Sequence, residues 1–198
     1  MSYHPNFFEA GGRVVRQDCL GRLKTIQKHI EPGSLLDVGC SEGFYSFGLH
    51  ETCGPILAID KEQPLIDTAN EIRQNQRQCW HIHFQCMKLD ELFSGNGHWD
   101  TGLYLSVHHH IVAQFGLDAA KDVLRKLSEK CDTMFFDMGQ KNEQNSEMHK
   151  WWQLLPENDD QEKWLAEYLG DNTVYNHAEI IGSSDIHKMK RLLWKLTK

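Results

Sequence analysis

Apolar residues come in short runs, and polar stretches of helical length separate them along most of the chain. Leu35-Leu36-Asp37-Val38 reads as a buried strand over 34–39, and Ile56-Leu57-Ala58-Ile59 as a second over 55–60. Further strands are expected over 80–87, 99–106 and 131–138. Helix-biased stretches lie between them, over 43–52, 63–76, near 89–93, and over 116–130. In the last of these Leu117, Ala120, Val123, Leu124 and Leu127 recur at helical spacing. Strands alternating with helices predict an α/β fold, a mostly parallel sheet covered on both faces. Before the first strand, Phe7 to Ile30 is a polar, helix-biased arm closed by Glu31-Pro32-Gly33. From 140 to 172 the chain turns polar and acidic, with Trp151-Trp152, Pro156 and Trp164. A helical segment lying over the carboxyl edge of the sheet is expected there. Two strands, 173–181 and 189–196, around Gly182-Ser183-Ser184 predict a closing antiparallel hairpin and a sheet of seven strands.

Composition narrows the class. At 198 residues the chain is expected to be one domain, with 1–32 as an N-terminal helical arm and 140–172 as a lid. A net charge of -7 argues against a protein whose main affinity comes from neutralising a long nucleic-acid backbone. No apolar run reaches membrane-spanning length and the polar N-terminus does not read as a signal peptide, so a cytoplasmic protein is expected. Cys19, Cys40, Cys53, Cys79, Cys86 and Cys131 form no C-x-x-C pair and read as reduced and mostly buried. His81, His83 and Cys86 alternate along a strand, but no second ligand pair follows, and no metal is expected.

The stretch Asp37-Val38-Gly39-Cys40-Ser41-Glu42-Gly43, leading into Phe44, carries the strongest chemical signal. Gly39 lets the backbone turn sharply, and Gly43 lets a ligand or the next helix come close. Asp60 ends the second strand about twenty residues on. Dinucleotide-binding βαβ units use that spacing, and there the acid takes a ribose hydroxyl pair. The third glycine of a pyrophosphate-binding G-x-G-x-x-G is missing, so a ligand without phosphates fits better. An ordinary βα turn is the alternative, and the placement of Asp60 speaks against it. Ligands of open α/β sheets lie beyond the carboxyl ends of the strands. That rule selects Gly39, Cys40, Ser41 and Gly43, then Asp60 and Lys61, then Met87, Lys88 and Leu89, and then the run His108-His109-His110.

These motifs resemble the class I S-adenosylmethionine-dependent methyltransferases, with Asp37, Gly39, Gly43 and Asp60 matching and Ser41 where the middle glycine is commonest. Ser106, His109, His110, Ile111 and Val112, with the strand exit Phe136 to Glu143, are similar to the methyltransferase half of bacterial enzymes that terminate O-antigen polysaccharides. A looser likeness extends to RNA 5′-phosphate methyl-capping enzymes. The resemblance implies S-adenosyl-L-methionine as cofactor, held by Asp37, Gly39, Cys40, Ser41, Gly43, Phe44, Asp60, Lys61, Met87, Lys88, Leu89 and Ser106. Arg16 would clamp its carboxylate. Methyltransferases often hold an aspartate where this chain has Lys88, which puts the usual adenine contact in doubt. His109, His110 and Lys141 are the implied catalytic residues. The histidines would either stabilise charge or remove a proton. The implied acceptor is a terminal phosphate or similar oxyanion of a glycan or small molecule, with a role in polysaccharide synthesis. A small-molecule or carboxylate acceptor, an RNA 5′-phosphate and a non-catalytic cofactor-binding partner remain the alternatives. Arg13, Arg16, Arg22, Lys188, Lys190, Arg191 and Lys195 are candidate anion-binding groups, with a solvated charged face as the other reading. Trp151 and Trp152 read as an aromatic lid or as core. The oligomeric state is not legible.

Overall fold

The computed structural model describes residues 17–141, 151–186 and 189–198. Seven strands form one mixed sheet in the order β3-β2-β1-β4-β5-β7-β6. The chain divides into two compact units, Met1–Leu103 and Tyr104–Lys198.

The first unit begins with helix α1 (Gln17–His29), then β1 (Gly33–Val38), α2 (Phe44–Gly48), β2 (Cys53–Asp60), α3 (Gln63–Gln74), a single 3-10 turn at Arg77–Cys79, β3 (Ile82–Cys86) and α4 (Leu89–Ser94). β1 pairs in parallel with β2 and with β4 (Trp99–Leu105), and β2 with β3. Leu35, Leu36 and Val38 are all buried, as a central parallel strand covered on both faces requires. Asp37 lies among them and is 3 % exposed. Its carboxylate accepts a 2.6 Å hydrogen bond from Ser46 Oγ, and burial pushes its pKa up to about 6. Helix 2 stops at Gly48, short of the expected 52. Leu23 of α1 packs against Gly48, where a Cβ would come within 2.5 Å of it. The amides of Thr52 and Cys53 then turn back onto the Leu49 carbonyl.

The second unit holds α5 (His108–Phe115), α6 (Leu117–Lys130), β5 (Cys131–Asp137), α7 (Trp151–Leu154), α8 (Gln161–Asn172), β6 (His177–Ile186) and β7 (Met189–Thr197). Gly116, at φ 86, separates α5 from α6, a backbone conformation that favours glycine. α6 buries Ala120, Leu124, Leu127 and Ser128 on one face. The Asp160 side chain caps α8 by accepting from the Lys163 amide at 3.0 Å. β7 runs antiparallel to both β5 and β6. Gly182-Ser183-Ser184 is not the hairpin turn. These residues pair with Leu193, Leu192 and Arg191 inside β6, just past an irregularity in register between Ile180 and Gly182. A glycine within a strand marks a bulge as readily as a turn. The pairing runs on past them to Ile186 and Met189.

The three histidines open α5 rather than end a strand. His108 is fully buried between two tyrosines, its Nδ1 3.3 Å from Tyr104 Oη and its Nε2 2.9 Å from Tyr168 Oη. Burial lowers its pKa from 6.5 to about 3 and raises those of both phenols. The stability that neutral His108 contributes is therefore fully present above pH 6.5 and is lost as pH falls toward 3. Denaturant melts at about pH 7 and pH 4.5 should show the wild type losing stability on acidification. His108→Gln, which cannot titrate, should show a shallower loss, by roughly 2 kcal/mol. Equal slopes would mean that His108 is not the group responsible.

Candidate functional site

The exit of β1 is a left-handed turn held by the end of β2. Gly39 (φ 75), Ser41 (φ 52) and Gly43 (φ 84) all have positive φ. The amides of Gly39 and Cys40 both donate to the Ile59 carbonyl. Ser41 is not a glycine, and its conformation is held by its amide donating to Asp60 Oδ2 at 3.0 Å. Asp60 Oδ1 accepts from the Glu62 amide at 3.0 Å. A carboxylate oxygen has two acceptor sites, so each oxygen of this half-buried group can still take a hydroxyl. The need for Gly43 comes from the protein itself: a Cβ there would lie 2.6 Å from the Phe84 ring of β3. Phe44 also turns inward, 2 % exposed and edge-on to Tyr45, and so serves the core. Cys40 is 5 % exposed, and burial raises its thiol pKa well above the usual range.

Past β3, the Met87 amide donates to the Asp60 carbonyl, which brings half-buried Met87 beside the end of β2. Lys88 is exposed and starts α4, its amide donating to Glu91 Oε2 at 2.7 Å, and half-buried Leu89 follows. Lys61 is exposed, 3.9 Å from Glu62. Arg13 and Arg16 lie outside the described residues. A cavity of about 490 Å³, lined in part by His50, Trp80, His81 and His83, opens at the amino ends of β2 and β3, the opposite end from Asp60. His81 Nε2 is spent there on the His50 carbonyl, 2.9 Å away. Among the described residues no group of three or more His, Cys, Asp or Glu is placed to hold a metal ion.

In the second unit Ser106, φ 59, follows the last residue of β4; its amide donates to Asp137 Oδ1 at 2.8 Å and its Oγ lies 3.0 Å from the same oxygen. Arg191 Nη1 donates to Ser106 Oγ at 3.0 Å and sits 3.9 Å from Asp137. Asp137 is 1 % exposed and Arg191 7 %. Arg191 is therefore the buried countercharge of a strand end and not part of an exposed basic face. Arg22 is likewise turned in and pairs with Asp18 at 3.3 Å. Lys190 stays exposed, Lys195 is half-buried and Lys188 lies outside the described residues. His109 is 4 % exposed and accepts from the Gly139 amide at Nδ1, while His110 beside it is exposed. Trp151 lies 4.6 Å from the His109 ring and is itself buried. Lys141 Nζ donates to the Leu155 carbonyl at 2.9 Å and lies 2.8 Å from Glu157, so its charge is already met.

Residues 36–130 match the family described as a methyltransferase domain. Those residues carry a methyltransferase domain, and the fold is that of the class I S-adenosylmethionine-dependent methyltransferases. The chain is similar to the O-antigen chain terminator bifunctional methyltransferase/kinase WbdD of Escherichia coli, at 28% identity over 71% of this chain and 20% of that protein. The chain thus spans about a fifth of the length of the curated relatives it matches. A solved structure of WbdD superposes over 100% of this chain and 39% of its own, with TM-score 0.75 and 22% identity. Magnesium protoporphyrin IX methyltransferase from Synechocystis PCC 6803 superposes with TM-score 0.65 and 15% identity, over 92% of this chain and 79% of its own. At those identities the two superpositions speak for the fold.

The first unit of this methyltransferase fits its cofactor. A half-exposed carboxylate is aimed by two backbone amides at the end of β2, beside a left-handed turn and the backbone of Met87. Asp137 and Gly139 were missed as sequence candidates. An acid at the end of an apolar strand is the feature that singled out Asp37 and Asp60, and it would have found Asp137. Nothing in the sequence couples Gly139 to His109, thirty residues away.

The two strand-end carboxylates should respond differently to substitution. Asp60→Ala should weaken S-adenosylhomocysteine at least about ten-fold by calorimetry, because hydrogen bonds to a charged group are lost. Asp137→Ala should cost about 3 kcal/mol in denaturant unfolding, because it strands a buried guanidinium. If Asp137→Ala melts like the wild type, Arg191 does not depend on it. Gly43→Ala should be destabilised by about 1–3 kcal/mol, from positive φ and the contact with Phe84.

Proposed function

We propose that the protein is an O-methyltransferase whose acceptor is a terminal phosphate, or a similar oxyanion, of a glycan or small molecule. The observation that carries this reading is His109, buried and hydrogen-bonded at the exit of β4 and β5, within the run that resembles the O-antigen chain terminators. The curated relative named above is an O-antigen chain terminator, which favours a glycan acceptor and a place in polysaccharide synthesis.

When bound, the cofactor supplies an electrophilic methyl group. Asp60 would take its ribose hydroxyls, and the backbone of Gly39, Cys40 and Ser41 would line its methionine part, with Asp37 behind that turn. Met87 and Leu89 would hold the adenine, with backbone groups there meeting its amino group, since Lys88 offers no carboxylate. Ser106 acts through the strand end it holds with Asp137. Gly43 and Phe44 serve by shaping the turn, and Lys61 and Arg16 lie on its rim or beyond the described residues. His109 and His110 present ring N–H groups to the acceptor anion. Lys141 adds a cation if the exposed carboxylate of Glu157 gives way.

Other acceptors are less well supported. The two arginines that turn inward subtract from the basic surface an RNA 5′-end would need, and the chain is acidic overall. Among the described residues no helix is long and apolar enough to cross a membrane. A cytoplasmic location agrees with that but does not follow from it.

The test offers radiolabelled S-adenosylmethionine with matched acceptors: sugar phosphates, the unphosphorylated sugars, simple carboxylates and a 5′-phosphorylated RNA. Label should enter the phosphomonoesters as a methyl phosphodiester, which survives the mild base that releases methanol from a carboxylate methyl ester. His109→Ala should lower turnover by about a hundred-fold, with cofactor affinity within about three-fold of the wild type. Transfer to carboxylates or free hydroxyls in preference to phosphates would overturn the reading.

A further inference from the structure

The amide of Gly139, two residues beyond β5, donates to His109 Nδ1 at 2.9 Å, and both residues are buried. A backbone N–H can only donate, so Nδ1 must present its lone pair. A neutral imidazole has one hydrogen to place, and here that hydrogen must be on Nε2. The partner amide is itself held. A Cβ on Gly139 would lie 2.7 Å from Nε1, 2.8 Å from Cε2 and 3.0 Å from Cζ2 of Trp151. The same indole lies 4.6 Å, ring to ring, from His109, and the His110 ring lies 4.3 Å from it. Only glycine lets the indole lie against the backbone that orients the imidazole.

We propose that Gly139 is a positioning residue which keeps His109 as a standing Nε2–H donor, and that the enzyme therefore selects acceptor oxygens that arrive already ionised. A general base needs a lone pair on the nitrogen facing the substrate. His109 has given its lone pair to Gly139 and carries hydrogen at the other nitrogen. It can stabilise an anion but cannot deprotonate a hydroxyl without breaking a buried hydrogen bond. An anionic oxygen needs no base. It forms the new O–C bond while the electron pair of the broken S–C bond stays on sulfur, and no proton is released. A phosphomonoester meets this condition near neutral pH and a sugar hydroxyl does not. The inference rests on the reading of His109 as the residue that meets the acceptor.

The tautomer can be read without any substrate. In protein labelled with ¹⁵N-histidine, two-bond proton–nitrogen spectra at about pH 8, where an ordinary imidazole is neutral, should show His109 as the Nε2–H form. Nδ1 should carry the shift of a hydrogen-bonded acceptor, and the His109→Gln spectrum assigns the signal by its loss. An Nδ1–H form overturns the proposal whatever the acceptor. The second arm uses S-adenosylmethionine and glucose 1-phosphate. His109→Gln places an amide N–H near the Nε2 position and should stay within about ten-fold of wild-type turnover, while His109→Ala falls about a hundred-fold. A His109→Gln that is folded by circular dichroism yet as slow as His109→Ala also overturns it. If the wild type methylates no phosphomonoester, the phosphate-acceptor reading fails, and the spectrum still decides the state of His109.

Discussion

A carboxylate at the end of one strand takes the amide of a serine in left-handed conformation at the exit of another, and this happens once in each unit. Asp60 holds Ser41 at 3.0 Å and Asp137 holds Ser106 at 2.8 Å. Neither serine has glycine's freedom at φ 52 or φ 59, and each turn depends on a charge-assisted hydrogen bond to stay as it is. Where the chain goes after β1 and after β4 follows from these two contacts.

Solvent separates the two in function. Asp60 is half-exposed and is committed only to two backbone amides, so it keeps acceptor capacity for a ligand. Asp137 is sealed, with Ser106 Oγ and the Arg191 guanidinium against it. A buried carboxylate with its countercharge inside serves to hold structure, because nothing outside can reach it without stranding the arginine. The same local device thus leaves acceptor capacity open in one place and makes a brace in the other.

Around that brace the histidine run is sorted by helix geometry. Successive residues at the start of α5 point in different directions, so His108 goes to the core, His109 meets Gly139, and His110 faces outward. His108 occurs in the sequence as one of three equal letters, yet it is the most constrained of them, a neutral ring bridging two buried phenols. Its burial gives the second unit a pH-sensitive interior that is separate from any role in chemistry.

Hydrophobic periodicity, glycine placement and acid-ended strands are local signals, and they sufficed to read the alternation of strands and helices, the seven-stranded sheet and the β1 turn, while the cofactor came with the family resemblance that these motifs carry. Such features depend on neighbours within a turn or two, or on a spacing fixed by one βαβ unit. Local signals failed where the deciding neighbour was distant in sequence. Gly48 answers to Leu23, Gly43 to Phe84, and Gly182-Ser183-Ser184 lies in a strand because β7 pairs with it. Arg191 reads as a surface cation until Asp137, more than fifty residues earlier, draws it inside. The proton position on His109 is of the same kind: composition can supply an imidazole, but only the packed strand ends supply the amide that decides which nitrogen carries hydrogen.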